Sequence, residues 1–138
     1  MLCACNGNNE SINSIKMVRT YSAEMNERQL RTKFAAKLPE NVARWYNIRL
    51  GPYHDQEKSR MYSVLQHYAD LIYIENNVVW ITEFKVRGQA EAVGQLLNYK
   101  NLFPQTIEFD FAKAFPIMLQ LVTNQHKTEI MELCNKHS

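Results

Sequence analysis

The chain has 138 residues, of which 46% are hydrophobic and 22% are charged, and this composition indicates one globular domain that buries its own core. A formal net charge of +2 neither indicates nor opposes binding to nucleic acid. Three cysteines, Cys3, Cys5 and Cys134, exclude a disulfide framework and favour a reducing compartment. Because we find no apolar run of membrane-spanning length and no secretory signal pattern, we expect a cytoplasmic protein without membrane contact.

The N-terminal residues differ in composition from the rest of the chain. Residues 1–19 are rich in Asn, Ser and Gly and are predicted to form a flexible arm, and residues 20–138 are predicted to form a single domain. Within the arm, Ile12, Ile15 and Val18 could form a short strand or helix, and the sequence leaves this open.

A first helix is predicted between Ser22, a favourable N-cap, and Pro39, which lies just beyond its end. Helical spacing places four side chains on one face: Glu27, Leu30, Phe34 and Leu38. An acid on this otherwise apolar face has two interpretations. Glu27 is either an edge residue that pairs with Arg28 or Arg31, or a residue that reaches a functional site.

Residues 69–86 are predicted to form a β-hairpin, because two runs of β-branched and aromatic residues flank Asn76-Asn77. Asn adopts positive φ more readily than most residues, so a two-residue turn fits this position. With that turn, Asp70 lies directly opposite Glu83. Lys85, two residues beyond Glu83, points to the same face of the sheet.

The hairpin strands are apolar on both faces, with Ile72, Ile74, Val79 and Ile81 on one and Leu71, Tyr73, Val78, Trp80 and Phe84 on the other. Such strands are central in a sheet and covered on both sides. Two opposed acids there require a cation or a raised pKa, and Lys85 or a divalent metal would meet that need. A structural ion network among Asp70, Glu83 and Lys85 is the alternative.

The remaining elements alternate between strand and helix. They are a strand over residues 42–50, a polar loop over residues 51–60, a helix over residues 90–103 ended by Pro104, an edge strand over residues 107–111, a buried parallel strand over residues 116–123, and a helix over residues 125–136 capped by Asn124. In the helix after the hairpin, the predicted core face consists of Ala90, Val93, Leu96 and Leu97. Gln95 and Tyr99 fall on a different face. In the last helix, Ile130, Leu133 and Cys134 are predicted to face inward.

These motifs together resemble the PD-(D/E)xK nuclease superfamily. An acid that opens one strand, Asp70, is followed on the next strand by Glu83-Phe84-Lys85, with Ala69 in place of the proline in the family name. The following helix carries Gln95 and Tyr99 in the spacing of the Gln-x-x-x-Tyr motif of the RecB-like branch. The resemblance implies an α/β restriction-endonuclease-like fold with an αβββαβ core, in which helices flank a mixed central sheet.

The resemblance also implies roles for individual residues. Asp70, Glu83 and the Phe84 main-chain carbonyl would bind Mg²⁺, for which Mn²⁺ substitutes, and Glu27 would approach the metal. Lys85 would orient the attacking water and stabilise the transition state, Gln95 would position the water or the phosphate, and Tyr99 would support Gln95 or contact the backbone. Arg87, Lys100, Arg60 and Lys58 are candidates for DNA phosphate contacts. Three cysteines are too few for the four-cysteine iron–sulfur cluster of some relatives.

The function implied is a Mg²⁺-dependent DNA nuclease that leaves a 5′-phosphate and a 3′-hydroxyl, in repair, recombination or defence. A domain of this size is expected to act as a homodimer or within a larger nuclease assembly. Two alternatives stay open. One is a non-catalytic nucleic-acid-binding or scaffolding module that retains the nuclease fold, and the other is an unrelated α/β interaction protein.

Overall fold

A mixed sheet with helices on both faces forms the part of the chain that the computed structural model describes, which is residues 2–3, 15–19, 25–52, 67–87, 89–124 and 128–136. The strands are β1 Leu2–Cys3, β2 Ile15–Arg19, β3 Ala43–Leu50, β4 His67–Glu75, β5 Val78–Phe84 and β6 Ile117–Thr123. The helices are α1 Glu27–Ala36, α2 Gln89–Leu102 and α3 Thr128–Lys136, with short 3₁₀ helices at Phe103–Gln105 and Ile107–Ala112. The strand order in the six-stranded sheet is β1-β2-β6-β5-β4-β3.

The central hairpin forms as predicted. Asn76 and Asn77 have φ values of 53° and 59°, the left-handed conformation that a two-residue turn requires. Glu75 pairs with Val78 and the register continues to Leu71 opposite Thr82. The next position in that register brings Asp70 opposite Glu83.

The two faces of the sheet are covered by different helices. On one face, α2 and α3 pack over a cluster that includes Ile72, Ile81 and Leu119. On the other, Leu30 of α1 is fully buried in a second cluster with Phe84. Burial of such an apolar side chain contributes about 1.5–3 kcal/mol to stability. β4 and β5 are therefore covered on both sides, which confirms their predicted central position.

The start of α1 differs from the prediction. Asn26 is its N-cap, and Asn26 and Gln29 form a reciprocal capping box in which each side-chain oxygen accepts a main-chain N–H of the other residue. The predicted cap, Ser22, lies outside the described residues. Glu27 is exposed in the first turn, which agrees with its interpretation as an edge residue. The inward face of α1 begins at Leu30.

Part of the predicted flexible arm belongs to the sheet. Residues Ile15–Arg19 form a strand parallel to β6, with Ile15 opposite Leu119, and Ile15 and Met17 are buried. The pairing satisfies the main-chain groups of this segment, while the alternate apolar side chains enter the core. Residues 15–19 are therefore an ordered strand beside β6.

The predicted edge strand over residues 107–111 is a 3₁₀ helix, so that prediction is wrong. Phe109 packs edge-on against Trp45, with 5.0 Å between ring centroids, and also contacts Phe103. The Thr106 hydroxyl accepts a hydrogen bond from the Gly51 N–H at 2.8 Å, which fixes the start of this segment beside β3. The segment therefore covers the sheet instead of extending it.

The inward face of α2 was predicted only in part. Val93 and Leu96 are buried, but Ala90 is exposed and Tyr99 is buried, so the predictions for Ala90 and Tyr99 are wrong. In α3, Ile130 and Cys134 are buried and Leu133 packs against them, as predicted. No helix within the described residues is long and apolar enough to cross a membrane.

Candidate functional site

Two carboxyl groups meet where the β4–β5 pairing ends. The Asp70 main-chain N–H donates to Glu83 Oε1 at 3.2 Å, and the Phe84 N–H donates to Asp70 Oδ2 at 2.9 Å. Each acid side chain thus accepts a hydrogen bond from a main-chain N–H group. In a longer hairpin, a main-chain carbonyl of the opposite strand would accept that hydrogen bond. The predicted juxtaposition of Asp70 and Glu83 is present.

Burial controls the charge of this acid pair. Glu83 is only 3% exposed, and burial, followed by the negative charge of Asp70, raises its pKa from 4.5 to about 8. The positive charge of Lys85 acts in the opposite direction and lowers the pKa of Glu83. Around neutral pH, and without a further cation, the Glu83 carboxyl therefore retains a proton.

Lys85 directly follows β5 and is partly buried. Its main-chain N–H donates to the Val122 carbonyl at 3.0 Å, so the parallel contact with β6 continues for one residue beyond the strand. The positive charge of Lys85 is close enough to Glu83 to lower the pKa of that carboxyl, which places the Lys85 side chain near the acid pair. Lys85 is therefore placed as the sequence predicts, beside the acid pair.

Helix α2 brings Gln95 and Tyr99 to this face of the sheet. The Tyr99 hydroxyl donates to the Tyr68 carbonyl at 2.9 Å, which ties α2 to the start of β4. Burial and the charges of Glu83 and Asp70 raise the pKa of Tyr99, so its hydroxyl stays protonated. Gln95 Oε1 is buried without a hydrogen-bond partner among the described residues. Gln95 thus offers an unused acceptor on the face that carries the acid pair.

A second buried glutamine, near the end of β6, was not predicted. Gln89 is 2% exposed and its amide donates to the Thr123 hydroxyl at 2.5 Å, while its Oε1 has no partner within the described part of the chain. The helix after the hairpin was predicted to begin at residue 90, one residue after Gln89. Its spacing to Val93 and Leu96 matches one helical face, and this was the signal that would have placed it inward.

The other predicted site residues do not lie on the strands of the hairpin. Glu27 is on α1, which covers the opposite face of the sheet, and Arg87 is exposed. Lys100 lies on α2 and is partly buried, and burial lowers its pKa. Lys58 and Arg60 fall outside the described residues.

The described residues contain no group of three or more His, Cys, Asp or Glu side chains that could hold a metal ion. The available oxygen ligands are the two carboxylates and main-chain carbonyls. In an extended strand, the N–H and C=O groups of one residue point to the same side, so the Phe84 carbonyl faces Asp70 as its N–H does. In proteins, Mg²⁺ commonly binds through one or two carboxylates and keeps several of its waters.

Comparison of the chain with protein-family models, curated proteins and solved structures gave no match.

Proposed function

We propose that this chain is a divalent-metal-dependent DNA nuclease of the PD-(D/E)xK type, with Asp70, Glu83 and Lys85 at its active site. The observation that carries the proposal is the opposed acid pair, in which a buried Glu83 sits against Asp70 at the end of a central hairpin. Keeping two carboxyl groups together in a buried position is costly unless a proton or a cation compensates them. The order of elements from α1 to β6, helix, three strands, helix and strand, also supports the proposal.

The chemistry of the site fits a hydrated Mg²⁺ or Mn²⁺. The carboxylates of Asp70 and Glu83 and Oε1 of Gln95 are all hydrogen-bond acceptors, and hard oxygen atoms are the ligands that these ions prefer. A buried acceptor without a donor costs roughly 1–3 kcal/mol. The unpartnered Oε1 of Gln95 is accounted for if the hydration shell of a cation brings donors into the site.

Each residue then has a role in phosphodiester hydrolysis. Mg²⁺ held by Asp70, Glu83 and the Phe84 carbonyl would offset the negative charge that develops on the phosphate. The Lys85 ammonium donates to the attacking water or to a phosphate oxygen and stabilises the same charge. Gln95 Oε1 accepts a hydrogen bond from the attacking water and so orients it. The water oxygen forms a new bond to phosphorus as the P–O3′ bond breaks, the water releases a proton to solvent, and O3′ takes up a proton from solvent, so the products are a 5′-phosphate and a 3′-hydroxyl.

Tyr99 supports the site from behind. It is 3% exposed, its hydroxyl donates to the Tyr68 carbonyl, and it also interacts with the Glu83 side chain, so Tyr99 holds α2 against β4 and supports the acid pair. Because Gln95 lies one turn earlier on α2, this anchor positions Gln95 relative to Asp70. We further propose that the chain acts on DNA in the cytoplasm, in keeping with three cysteines that lack the spacing of a disulfide framework.

A second candidate is a non-catalytic nucleic-acid-binding or scaffolding module that retains the nuclease fold. The observation in its favour is that Asp70 and Glu83 already accept the two main-chain hydrogen bonds that end the hairpin. With one proton on Glu83, the pair is a self-contained structural feature. In that case neither carboxylate would need a metal.

Cleavage assays distinguish the two candidates. Supercoiled plasmid, linear duplex and single-stranded DNA are incubated with Mg²⁺ or Mn²⁺ and with wild-type protein, Lys85→Ala or Lys113→Ala. Lys113 is an exposed lysine beyond the second 3₁₀ helix and serves as the matched control. We expect metal-dependent cleavage that Lys85→Ala abolishes and Lys113→Ala retains. No cleavage of any substrate, together with no heat of metal binding, would favour the structural module.

A further inference from the structure

The outward side of α1 is strongly basic. From Glu27 to the C-cap at residue 37, the chain carries four cations, Arg28, Arg31, Lys33 and Lys37, against the single acid Glu27. Arg28, Lys33 and Lys37 are exposed, and none of the four cations forms an ion pair with another described residue. Surface cations are usually offset by neighbouring acids, so a helix with this imbalance attracts anions.

The cap of α1 adds further hydrogen-bond donors to the same side. In the capping box, the side-chain oxygens of Asn26 and Gln29 are both used by main-chain N–H groups, which leaves their NH₂ groups as donors. These residues line a shallow open depression of about 480 Å³. Its lining consists of Asn26, Arg28, Gln29, Thr32, Lys33 and Ala36, with no carboxylate and no aromatic ring. The surface that lines the depression is mostly apolar, so the groups that suit phosphate oxygens are the cationic and amide ends of these side chains, whereas nucleobases would require a stacking surface.

The position of α1 connects this surface to the proposed active site. The Asn124 side chain at the end of β6 donates to the Met25 carbonyl at 2.9 Å, just before α1. Lys85 adjoins the same end of β6 through the Val122 carbonyl. α1 therefore starts at the sheet edge that carries the acid pair and continues for ten residues, or about 15 Å, away from it.

We propose that the α1 surface, defined by Asn26, Arg28, Gln29, Thr32, Lys33 and Lys37, binds the sugar–phosphate backbone of the nucleic acid on one side of the cleavage site. This inference rests on the proposed function for its link to cleavage, and it adds where the substrate lies. About 15 Å of helix spans about four phosphates of one strand, at 3.4 Å per nucleotide. The substrate class is therefore a polynucleotide that extends several nucleotides beyond the cleaved bond.

An anionic membrane is the other partner that a basic helix could bind, and the packing of α1 argues against it. Membrane-surface helices insert an apolar face into the lipid. In α1 that face is occupied, because Leu30 is fully buried and the Phe34 ring lies 5.7 Å from the Phe84 ring between centroids. Only the polar side remains available, which favours a nucleic-acid backbone.

The test is a binding titration in EDTA, where metal-dependent cleavage is absent. Fluorescently labelled 20-nucleotide single strands and duplexes are titrated with wild-type protein, with Arg28→Gln/Lys33→Gln, and with the control Lys113→Gln/Lys136→Gln. Both variants lower the net charge equally, and all four positions are exposed, so each variant should keep the wild-type melting temperature. Anisotropy is measured from 50 to 200 mM salt.

We expect the α1 variant to bind DNA about tenfold more weakly at low salt. The slope of the logarithm of the binding constant against the logarithm of the salt concentration should become shallower by about 1.8 for duplex, or by about 1.4 for single strands. The control should match wild-type protein within about twofold. Equal weakening in both variants, unchanged binding in the α1 variant, or no DNA binding by wild-type protein would overturn the proposal. If the α1 variant loses the binding to anionic phospholipid vesicles that wild-type protein shows but still binds DNA, the α1 surface binds membranes and the proposal is overturned.

The inference and the proposed function can fail separately. If the α1 variant loses DNA binding while wild-type protein never cleaves with any metal, the α1 surface stands and the nuclease proposal falls. If wild-type protein cleaves and the α1 variant cleaves and binds equally well, the nuclease proposal stands and the α1 surface falls.

Discussion

Replacement of Glu83 by Gln should change how the stability of the metal-free protein depends on pH. The folded protein keeps the Glu83 proton up to a pKa of about 8, whereas the unfolded chain releases it near 4.5. The folded state therefore binds more protons between these values, so stability is greatest below pH 4.5 and falls as pH rises towards 8. At about 1.4 kcal/mol per pKa unit, this group alone removes up to about 3–4 kcal/mol between pH 5 and pH 8.

Urea unfolding at pH 5, 6, 7 and 8 in EDTA measures this dependence. The wild-type free energy of unfolding should fall over the series, and the fall should be smaller by 2 kcal/mol or more in Glu83→Gln, because an amide does not ionise. Glu91→Gln changes an exposed glutamate on α2 and should behave as wild-type protein. A difference of less than about 1 kcal/mol between the wild-type and Glu83→Gln series would refute the reasoning that Glu83 is buried with a retained proton.

Three further substitutions test other parts of the structure. Gln95→Leu should leave metal-free stability unchanged or raise it by about 1 kcal/mol, because it removes an unpartnered buried acceptor, yet lower metal-dependent cleavage at least about tenfold. Tyr99→Phe should lower the free energy of unfolding by about 1 kcal/mol through loss of the hydrogen bond to Tyr68. Asn77→Val should cost about 1–2 kcal/mol in urea unfolding, because φ at this position is 59°, whereas Asn77→Gly should not.

Opposite results have clear meanings. A marked loss of stability in Gln95→Leu would show that Oε1 has a partner within the folded chain. If Tyr99→Phe is as stable as wild-type protein, the hydrogen bond from Tyr99 to Tyr68 does not stabilise the packing of α2 against β4. Equal stability of Asn77→Val and wild-type protein would contradict the two-residue turn.

The parts of the fold that the sequence predicted depend on local chemistry. The hairpin follows from positive φ at Asn76 and Asn77 and from alternation along the flanking strands, and this register alone brings Asp70 to Glu83. The parallel pairing of β5 with β6 follows from the helix between them, because a crossover returns the chain in the same direction.

The parts that were missed depend on contacts distant in sequence. Ile15 pairs with Leu119, and nothing in the short segment around Ile15 specifies that partner. Phe109 faces Trp45 from a 3₁₀ helix, although its neighbours alternate in the manner of a strand. The strand partner of Ile15 and the conformation around Phe109 depend on tertiary packing against distant parts of the chain. Local sequence patterns carry little information about such packing.

The placement of Asp70 opposite Glu83 was predicted, whereas the burial of side chains around this candidate site was missed. Asp70 and Glu83 lie on one regular hairpin and Lys85 directly follows it, so the period of two predicts their relative positions. Tyr99 was placed on a different face from the predicted core stripe of α2, but it is buried, and the Tyr68 carbonyl satisfies its hydroxyl. Gln89 is likewise buried because Thr123 accepts its amide hydrogen.

The most direct test of the acid pair as a metal site is an anomalous difference map from crystals grown with Mn²⁺. We expect a peak within about 2.2 Å of carboxylate oxygens of Asp70 and Glu83 and of the Phe84 carbonyl oxygen, and no peak in Asp70→Asn. A map without density at this position in saturating Mn²⁺, with the two carboxyl groups hydrogen-bonded to each other, would contradict the proposed metal site.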